Sequence, residues 1–284
     1  MRISKLHSLG NDFLVLTPGE EVEEDKLFSF ALSVCDRHTG AGADGLLVLS
    51  FADRERNRIR FRIFNPDGSE AEISGNGLRC AAACLFHQDL VTSSTIQFLT
   101  PSGERTCRLV SRRDHAFEIR IELGEPKFSS DDIPFDDGRS HETLIDYPLS
   151  IQKRIYPITC VSMGNPHCDL FFDRFPSRIE WHQIGQAIET HPFFPKRTNV
   201  EFIKVVNKQE IEVLFWERGV GETLSSGSGS SAAAVAAMLK GLTDHKVRVR
   251  TSLGEAIVEW VDGKILQTGP AEIIFVGEYF PRSA

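Results

Sequence analysis

The chain carries two short motifs twice, and this repetition constrains its fold more than any other feature. The copies are SLGND at 8–12 and SMGNP at 162–166, then SGNG at 74–77 and SGSG at 226–229. The first motif recurs after 154 residues and the second after 152, and an alanine-rich apolar run follows each copy of the second. The agreement of the two offsets predicts two similar halves, which could contact one small molecule from two sides.

The length and composition are those of an ordinary globular protein. At 284 residues, with 41% hydrophobic and 25% charged residues, the chain is long enough for two domains with buried cores. A formal net charge of −8 argues against nucleic acid or an anionic membrane as a partner. The N-terminal residues do not resemble a signal peptide, and no apolar run is long enough to span a membrane. The six cysteines show no zinc-site spacing, so we expect reduced thiols, no metal site and a cytoplasmic location.

Strand-like patterns outnumber helical ones, which indicates the α+β class. The predicted strands cover residues 14–16, 45–49, 59–64, 95–99, 118–121, 201–205, 211–216, 247–249, 256–260 and 273–280. The predicted helices cover residues 26–35, 78–87, 181–189 and 231–239. The second and fourth helices open just after a glycine pair, so each half is expected to contain one such helix.

A stretch rich in Pro, Asp, Ser and Gly at 125–146 is the predicted connection between the halves. We therefore expect an N-terminal half over residues 1–124 and a C-terminal half over residues 125–272. The final strand, within residues 273–284, is expected to return to the N-terminal half.

Each copy of the second motif places a serine at the expected start of a helix. Ser74 and Ser226 are followed by glycines, which let backbone N–H groups approach a ligand closely. The first N–H groups of a helix lack intrahelical acceptors and lie at the positive end of its dipole, so they favour an anion such as a carboxylate. One copy alone would be an ordinary N-cap with turn glycines, but two copies at matched positions favour a ligand site.

Other polar residues near these motifs are candidates for binding a zwitterion. Arg218 could hold a carboxylate with two parallel N–H groups and Glu217 could hold an ammonium, although adjacent opposite charges usually form a surface ion pair. Asparagines recur at strand ends and turns, where they usually serve the turn but could equally contact a ligand: Asn11, Asn65, Asn76, Asn165 and Asn199. His167 follows one of these asparagines, and a lone histidine is more often structural. The GAGA segment at 40–43 lacks the residues of a phosphate-binding loop.

Together these motifs resemble the diaminopimelate epimerase family. The resemblance rests on residues 5–13, 36–45, 65–70, 75–80, 162–167 and 217–224, which occur in the family's order over most of the chain. It implies two pseudo-symmetric strand-rich domains, each a β-barrel-like sheet around a central helix, with the active site in the interdomain cleft. It also implies a homodimer that converts LL-diaminopimelate to meso-diaminopimelate, a lysine and peptidoglycan precursor. Two opposed thiols would move the proton, without pyridoxal phosphate, another cofactor or a metal.

The resemblance further implies a role for each candidate residue. Backbone N–H groups at the two helix N-termini would hold the reacting carboxylate, at Gly75, Asn76, Gly227 and Ser228. Polar side chains would bind the distal end of the substrate: Asn65, Asn165, Asn199 and Arg218. Asn11 and Glu217 would contact polar groups of the substrate near the reacting carbon.

The chain departs from the family at both catalytic positions, because Ser74 and Ser226 stand where the family has cysteines. Ser231 also occupies a position where many members carry a cysteine. A free thiol has a pKa of about 8.5, and a helix N-terminus contributes about 2 kcal/mol at most, where about 1.4 kcal/mol is one pKa unit. That shift yields a useful thiolate but no useful alkoxide, so we expect the chain to bind the substrate and to epimerise it poorly or not at all. Because six cysteines remain elsewhere, we interpret the double replacement as introduced, with a natural serine variant as the alternative.

Two other functions stay open. One is a racemase, isomerase or dehydratase of the same fold that acts on another amino acid, such as glutamate. The other is a binding protein without turnover, which the two serines would favour. Arg218 and the asparagines favour a substrate with a second charged end over a proline-like ligand.

Overall fold

The computed structural model describes residues 1–281, and the chain forms two compact units: Met1–Glu122 with the chain from Thr268 onward, and Leu123–Gln267. The first unit contains β1 (Arg2–Ser8), β2 (Asn11–Leu16), a 3-10 turn (Glu24–Lys26), α1 (Leu27–Cys35), β3 (Gly45–Asp53), β4 (Arg58–Phe64), β5 (Glu70–Ala71), α2 (Gly75–His87), β6 (Thr95–Thr100), β7 (Gly103–Arg113) and β8 (Ala116–Gly124). The second contains β9 (Leu144–Ile151), β10 (Arg154–Ser162), β11 (Pro166–Phe171), α3 (Arg178–Glu189), β12 (Asn199–Asn207), β13 (Glu210–Glu217), β14 (Gly221–Thr223), α4 (Gly227–Leu239), β15 (Lys246–Thr251) and β16 (Gly254–Val261). The last strand, β17 (Lys264–Glu278), belongs to the first unit from Thr268 onward.

In the first unit, eight strands pair in a closed ring in the order β17, β1, β2, β3, β4, β6, β7, β8 and back to β17. The helix α2 is the central element of this barrel and packs against β1, β2, β3 and β7. Its residues from Leu78 to Phe86 are all buried. Three consecutive alanines let strand side chains approach the helix closely, and Phe61, Phe98 and Phe117 are among the largest fully buried side chains of this unit.

In the second unit, the strands follow the order β9, β10, β11, β12, β13, β15 and β16, with β14 hydrogen-bonded to β13. The helix α4 is again central and packs against β10, β11, β12, β13, β15 and β16. Its apolar residues from Ala232 to Met238 are buried among valine and isoleucine side chains of those strands. A second apolar cluster includes Trp181 and Ile188 of α3 together with Phe202 of β12. The α+β class and the strand-rich halves with central helices are therefore confirmed.

Three of the four predicted helices begin too late in the sequence. The helices predicted at 78–87 and 231–239 begin at Gly75 and Gly227, because the glycines lie within the first turn after a serine N-cap. The helix predicted at 181–189 begins at Arg178, where Ser177 and Glu180 form a capping box. A serine N-cap therefore locates these helix starts better than the first apolar residue does.

Five longer strands were missing from the predicted set: β1, β7, β9, β10 and β11. The strand β7 is largely exposed and charged, whereas β10 and β11 bury polar residues, so neither type shows the usual alternation of polar and apolar side chains. Within the predicted connection at 125–146, Lys127 forms a β-bridge with Ser162, and β9 begins at Leu144. The last strand starts at Lys264, earlier than predicted, and residues 282–284 of the expected final strand lie outside the described residues.

Candidate active site

Ser74 is the N-cap of α2, as its sequence context predicted. Its backbone is extended, with φ −142° and ψ 123°, and its Oγ accepts a hydrogen bond of 3.0 Å from the Gly77 N–H. An ideal Cβ on Gly77 would lie 3.2 Å from the Cβ of Ser74 and 3.3 Å from a methyl group of Leu47. The glycine therefore lets the first turn of the helix lie close to the strand behind it.

At this helix start, the side-chain amide of Asn76 is hydrogen-bonded in series with that of Asn11. Asn76 is buried, and its Nδ2 donates to Asn11 Oδ1 at 3.3 Å. Asn11 Nδ2 donates in turn to Asp44 Oδ2 at 2.9 Å. The fully buried guanidinium of Arg79 donates to Asn76 Oδ1 and to Ser8 Oγ. The structure thus brings Ser74, Asn76 and Asn11 together at one end of α2.

Asp44 is held in place by a network of charged groups. Arg37 donates to carboxylate oxygens of both Asp12 and Asp44, and Lys5 lies 3.0 Å from Asp12. The hydrogen bonds from these two cations outweigh the effect of burial and lower the pKa of Asp12 to about 2. Asp12 is therefore ionised, and beside it Asn11 points its NH₂ group toward an oxygen of Asp44.

Asn65 occupies a separate turn that follows β4. Its Nδ2 donates to Ser69 Oγ at 3.0 Å, and its backbone exchanges hydrogen bonds with Ser69 and Gly68. The side chain therefore serves the turn, which is the ordinary use of asparagine in such a position.

Ser226 caps α4 in nearly the same conformation as Ser74 caps α2. Its φ is −139° and its ψ 127°, and its Oγ accepts a hydrogen bond of 3.2 Å from the Gly229 N–H. Next to it, Asn165 Nδ2 lies 3.4 Å from Ser228 Oγ, and Asn165 Oδ1 lies 3.0 Å from His167 Nε2. The structure thus brings Ser226, Ser228 and Asn165 together at the end of α4.

Asn199 and Arg218 lie at one end of β12 and β13. Asn199 is buried; its Nδ2 donates to the Pro166 carbonyl at 2.9 Å, and its Oδ1 accepts from the Arg218 N–H at 2.9 Å. The exposed Arg218 guanidinium donates to the Lys196 carbonyl at 3.2 Å. One amide therefore fixes the start of the loop from which the guanidinium extends, and the guanidinium keeps further N–H groups for an anion.

Glu217 is hydrogen-bonded to two hydroxyl groups. Thr223 Oγ1 donates to Glu217 Oε1 at 2.6 Å, and Ser226 is a second hydrogen-bond partner of the carboxyl. Burial raises the pKa of Glu217, and these hydrogen bonds and the nearby His167 partly oppose the shift. A carboxyl with a raised pKa next to residue 226 is suited to exchanging a proton with a group at that position.

The sequence analysis did not identify two buried groups behind these helix starts. One is Arg79, which orients Asn76. The other is a cluster of His167, Asp169 and Glu201, all at most 1% exposed. A signal for the cluster was available, since polar residues at alternate positions of an otherwise apolar strand share one face. Among residues 1–281, no three side chains of His, Cys, Asp or Glu are grouped as metal ligands, and no helix is long and apolar enough to cross a membrane.

Comparison with known proteins agrees with this arrangement. The family model described as diaminopimelate epimerase matches residues 3–129 and 159–274. The chain is 40% identical over 281 residues to the diaminopimelate epimerase of Pelotomaculum thermopropionicum, covering 98% of this chain and 99% of that protein. It is 37% identical over 280 residues to that of Synechocystis sp., covering 98% of both.

Solved structures with the same fold are more distant in sequence. A phenazine biosynthesis protein from Bacillus anthracis matches with a TM-score of 0.70 at 14% identity, covering 98% of both chains. A predicted epimerase from Pseudomonas aeruginosa matches with a TM-score of 0.69 at 16% identity, covering 99% of both chains. The similarity to these two solved structures concerns the fold alone. The family is assigned by the family model and by the relatives with 37–40% sequence identity. This chain belongs to the diaminopimelate epimerase family.

Proposed function

We propose that this chain is an isomerase of diaminopimelate. The observation that carries the proposal is the pair of serine-capped helix N-termini, which have matching backbone conformation and an asparagine beside each. Each N-terminus offers N–H groups at the positive end of a helix dipole, which suits a carboxylate. Membership in the diaminopimelate epimerase family supplies the substrate and the reaction.

The site residues divide by position. Around the reacting carbon, the carboxylate would be held by backbone N–H groups of four residues: Gly75, Asn76, Gly227 and Ser228. Asn11 and Glu217 would contact polar groups near that carbon. The distal end would be bound by Asn65, Asn165, Asn199 and Arg218. The exposed guanidinium of Arg218 fits this role best, because it can form paired N–H bonds to a second carboxylate.

Ser74 and Ser226 occupy the positions of the two proton-transfer groups. The helix dipole contributes about 2 kcal/mol at most, which cannot bring a serine hydroxyl to a useful pKa. At residue 226 the carboxyl of Glu217 is a hydrogen-bond partner. At residue 74 the cap hydrogen bond comes from a backbone N–H, which is not a base. We therefore propose that the chain binds diaminopimelate with little turnover.

The test restores the thiols. The unmodified chain should bind diaminopimelate in a calorimetric titration and show little exchange of the α-proton in D₂O. The double variant Ser74→Cys/Ser226→Cys should exchange that proton, measured by NMR, at least about 100-fold faster, the usual contribution of a positioned acid or base. Ser231→Cys is the matched control, because it places a thiol on α4 away from the cap and should not restore exchange. Binding of glutamate in preference to diaminopimelate, or no exchange in the double variant, would contradict the proposal.

Further features are proposed together with this function. Catalysis by two side chains needs no pyridoxal phosphate, so the double variant should exchange protons without added cofactor. The family resemblance implies a homodimer in the cytoplasm, without nucleic acid or membrane as a partner. Analytical ultracentrifugation of the purified chain tests the dimer, and a sedimenting monomer would contradict it.

A further inference from the structure

The second half buries a group of polar side chains directly behind the first turn of α4. In the parallel pair of β11 and β12, Asp169 lies opposite Glu201, and His167 shares a strand face with Asp169. His167 is 0% and Glu201 1% exposed, and His167 Nδ1 lies 2.8 Å from Glu201 Oε1. An ideal Cβ on Gly229 would lie only 2.7 Å from the same Glu201 oxygen. The glycine therefore allows the start of the helix to lie directly against Glu201.

From Glu201, hydrogen bonds run in series to the surface of the helix start. Glu201 contacts His167 Nδ1, His167 Nε2 contacts Asn165 Oδ1, and Asn165 Nδ2 contacts Ser228 Oγ. A neutral imidazole donates from one nitrogen and accepts at the other, so the series has two self-consistent directions. The protonation of Glu201 selects between them.

In the outward direction, protonated Glu201 donates to His167 Nδ1. His167 Nε2–H then donates to Asn165 Oδ1, and Asn165 Nδ2–H donates to Ser228 Oγ, so the Ser228 hydroxyl is free to donate to a ligand. In the inward direction, ionised Glu201 accepts from Nδ1–H, the amide of Asn165 is reversed, and the Ser228 hydroxyl donates to Asn165. Only the outward direction presents a hydroxyl donor toward a carboxylate.

We infer that Glu201 is a positioning residue that retains its proton and thereby fixes the Nε2–H tautomer of His167, the amide orientation of Asn165 and the outward hydroxyl of Ser228. This inference deepens the proposed function, on which it relies only for the identity of the ligand. It adds a side-chain donor to the backbone N–H groups at the start of α4. Glu201 itself need not touch the substrate.

Burial favours the protonated form of Glu201. Within residues 1–281, the second carboxyl oxygen of Glu201 has no hydrogen-bond partner, and neither carboxyl oxygen of neighbouring Asp169 has one. An ionised carboxylate in this position would lose its hydration without replacement. Burial raises the pKa values of Glu201 and Asp169 well above their usual range, and the charge of Glu217 raises that of Glu201 further. Burial also lowers the pKa of His167 to about 3, with Glu217 opposing that shift and Arg218 adding to it.

The helix N-terminus gives a second reason for a neutral Glu201. A negative charge against Gly229 would cancel part of the positive potential that attracts an anionic ligand to the start of α4. A protonated carboxyl leaves that potential in place. The protonation that orients the hydroxyl therefore also preserves the electrostatic attraction of the site.

The first test uses the unmodified full chain with ¹⁵N-labelled histidine. NMR should show His167 protonated at Nε2 and unprotonated at Nδ1, without change from about pH 5 to pH 8, where an ordinary histidine titrates. The His167 signals are assigned by their loss in His167→Gln. A proton on Nδ1, or a doubly protonated ring, would overturn the inference whether or not diaminopimelate binds.

Variants then connect the tautomer to binding. Glu201→Gln keeps an N–H donor toward Nδ1 and should preserve the tautomer and the dissociation constant for diaminopimelate. Glu201→Leu should lose the Nε2–H signal pattern and weaken binding about tenfold, the effect of one hydrogen bond to a charged group. Asp169→Asn is the matched control, since it changes the cluster outside the series and should alter neither readout. Equal weakening by Asp169→Asn and Glu201→Leu, with the tautomer unchanged, would reduce Glu201 to a packing role.

Discussion

The two halves share the geometry of their helix starts but differ in what stabilises them. Ser74 and Ser226 have φ and ψ within a few degrees of each other. Behind α2 lie Val15 and Leu47, paired across β2 and β3, and behind α4 the matching pair is Asp169 and Glu201. The cap conformation therefore depends on the local serine and glycine residues, whereas the polar groups behind it are free to differ.

The two halves also differ in the direction of the hydrogen bond that joins the helix start to the nearby asparagine outside the helix. In the first half, the helix residue Asn76 donates to Asn11 at the start of β2, because Arg79 donates to the Asn76 carbonyl oxygen. In the second half, the loop residue Asn165 donates to Ser228. The helix position of Arg79, the fifth of α2, is occupied by Ser231 in α4. A repeated fold thus presents two chemically different surfaces to a ligand.

Replacing Arg79 should produce the largest loss of stability in this comparison. Arg79→Met leaves Asn76 Oδ1 and Ser8 Oγ without a charged donor in a buried setting, so we expect the free energy of unfolding to fall by about 3 kcal/mol. Urea titration followed by circular dichroism measures this. Ser231→Ala at the matched position of α4 removes weaker contacts with Gly227 and Gln267 and should cost about 1 kcal/mol. Equal losses would show that the buried guanidinium has no special structural role.

Alanine substitutions of the matched helix glycines, Gly77 in α2 and Gly229 in α4, should reduce stability by different amounts. A methyl group on Gly229 would lie 2.7 Å from Glu201 Oε1, whereas on Gly77 its nearest neighbours lie at 3.2 and 3.3 Å. We expect Gly229→Ala to cost about 2 kcal/mol and Gly77→Ala about 1 kcal/mol, both measured from thermal unfolding. Because the Gly229 methyl would displace Glu201, that variant should also weaken diaminopimelate binding. A larger loss in Gly77→Ala would contradict the described contact with Glu201.

Sequence reasoning succeeded where local chemistry determines structure. Ser74 and Ser226 were recognised as helix starts because a hydroxyl followed by glycines suffices for a cap. The buried cluster around His167 was missed, although His167 and Asp169 share one face of β11, because Glu201 joins them only through the parallel pairing of β11 and β12. Arg79 was missed for a similar reason, because an arginine in an apolar helix does not reveal that Ser8 lies beside it in space. The assignment of the diaminopimelate epimerase family came from combined motifs rather than from any single residue.

A change of pH should alter the stability contributions of Asp12 in the first half and Asp169 in the second half in opposite directions. Asp12 has a folded pKa of about 2, below its unfolded value, so its contribution is complete above about pH 4 and is lost as pH falls toward 2. Because Arg37, one of the two cations that bind Asp12, is 54% exposed to solvent, the contribution of Asp12 to the free energy of unfolding is about 1 kcal/mol. Burial raises the pKa of Asp169 in the folded chain. Its contribution to the free energy of unfolding is therefore complete below the pKa of an unfolded aspartate and declines as pH rises above about 4. Urea midpoints measured from pH 3 to pH 7 should therefore fall less steeply on acidification in Asp12→Asn than in the unmodified chain. In Asp169→Asn the urea midpoints should rise more steeply with pH than in the unmodified chain. If both variants changed the pH dependence of the midpoint in the same direction, the protonation assigned to Asp12 or to Asp169 would be wrong.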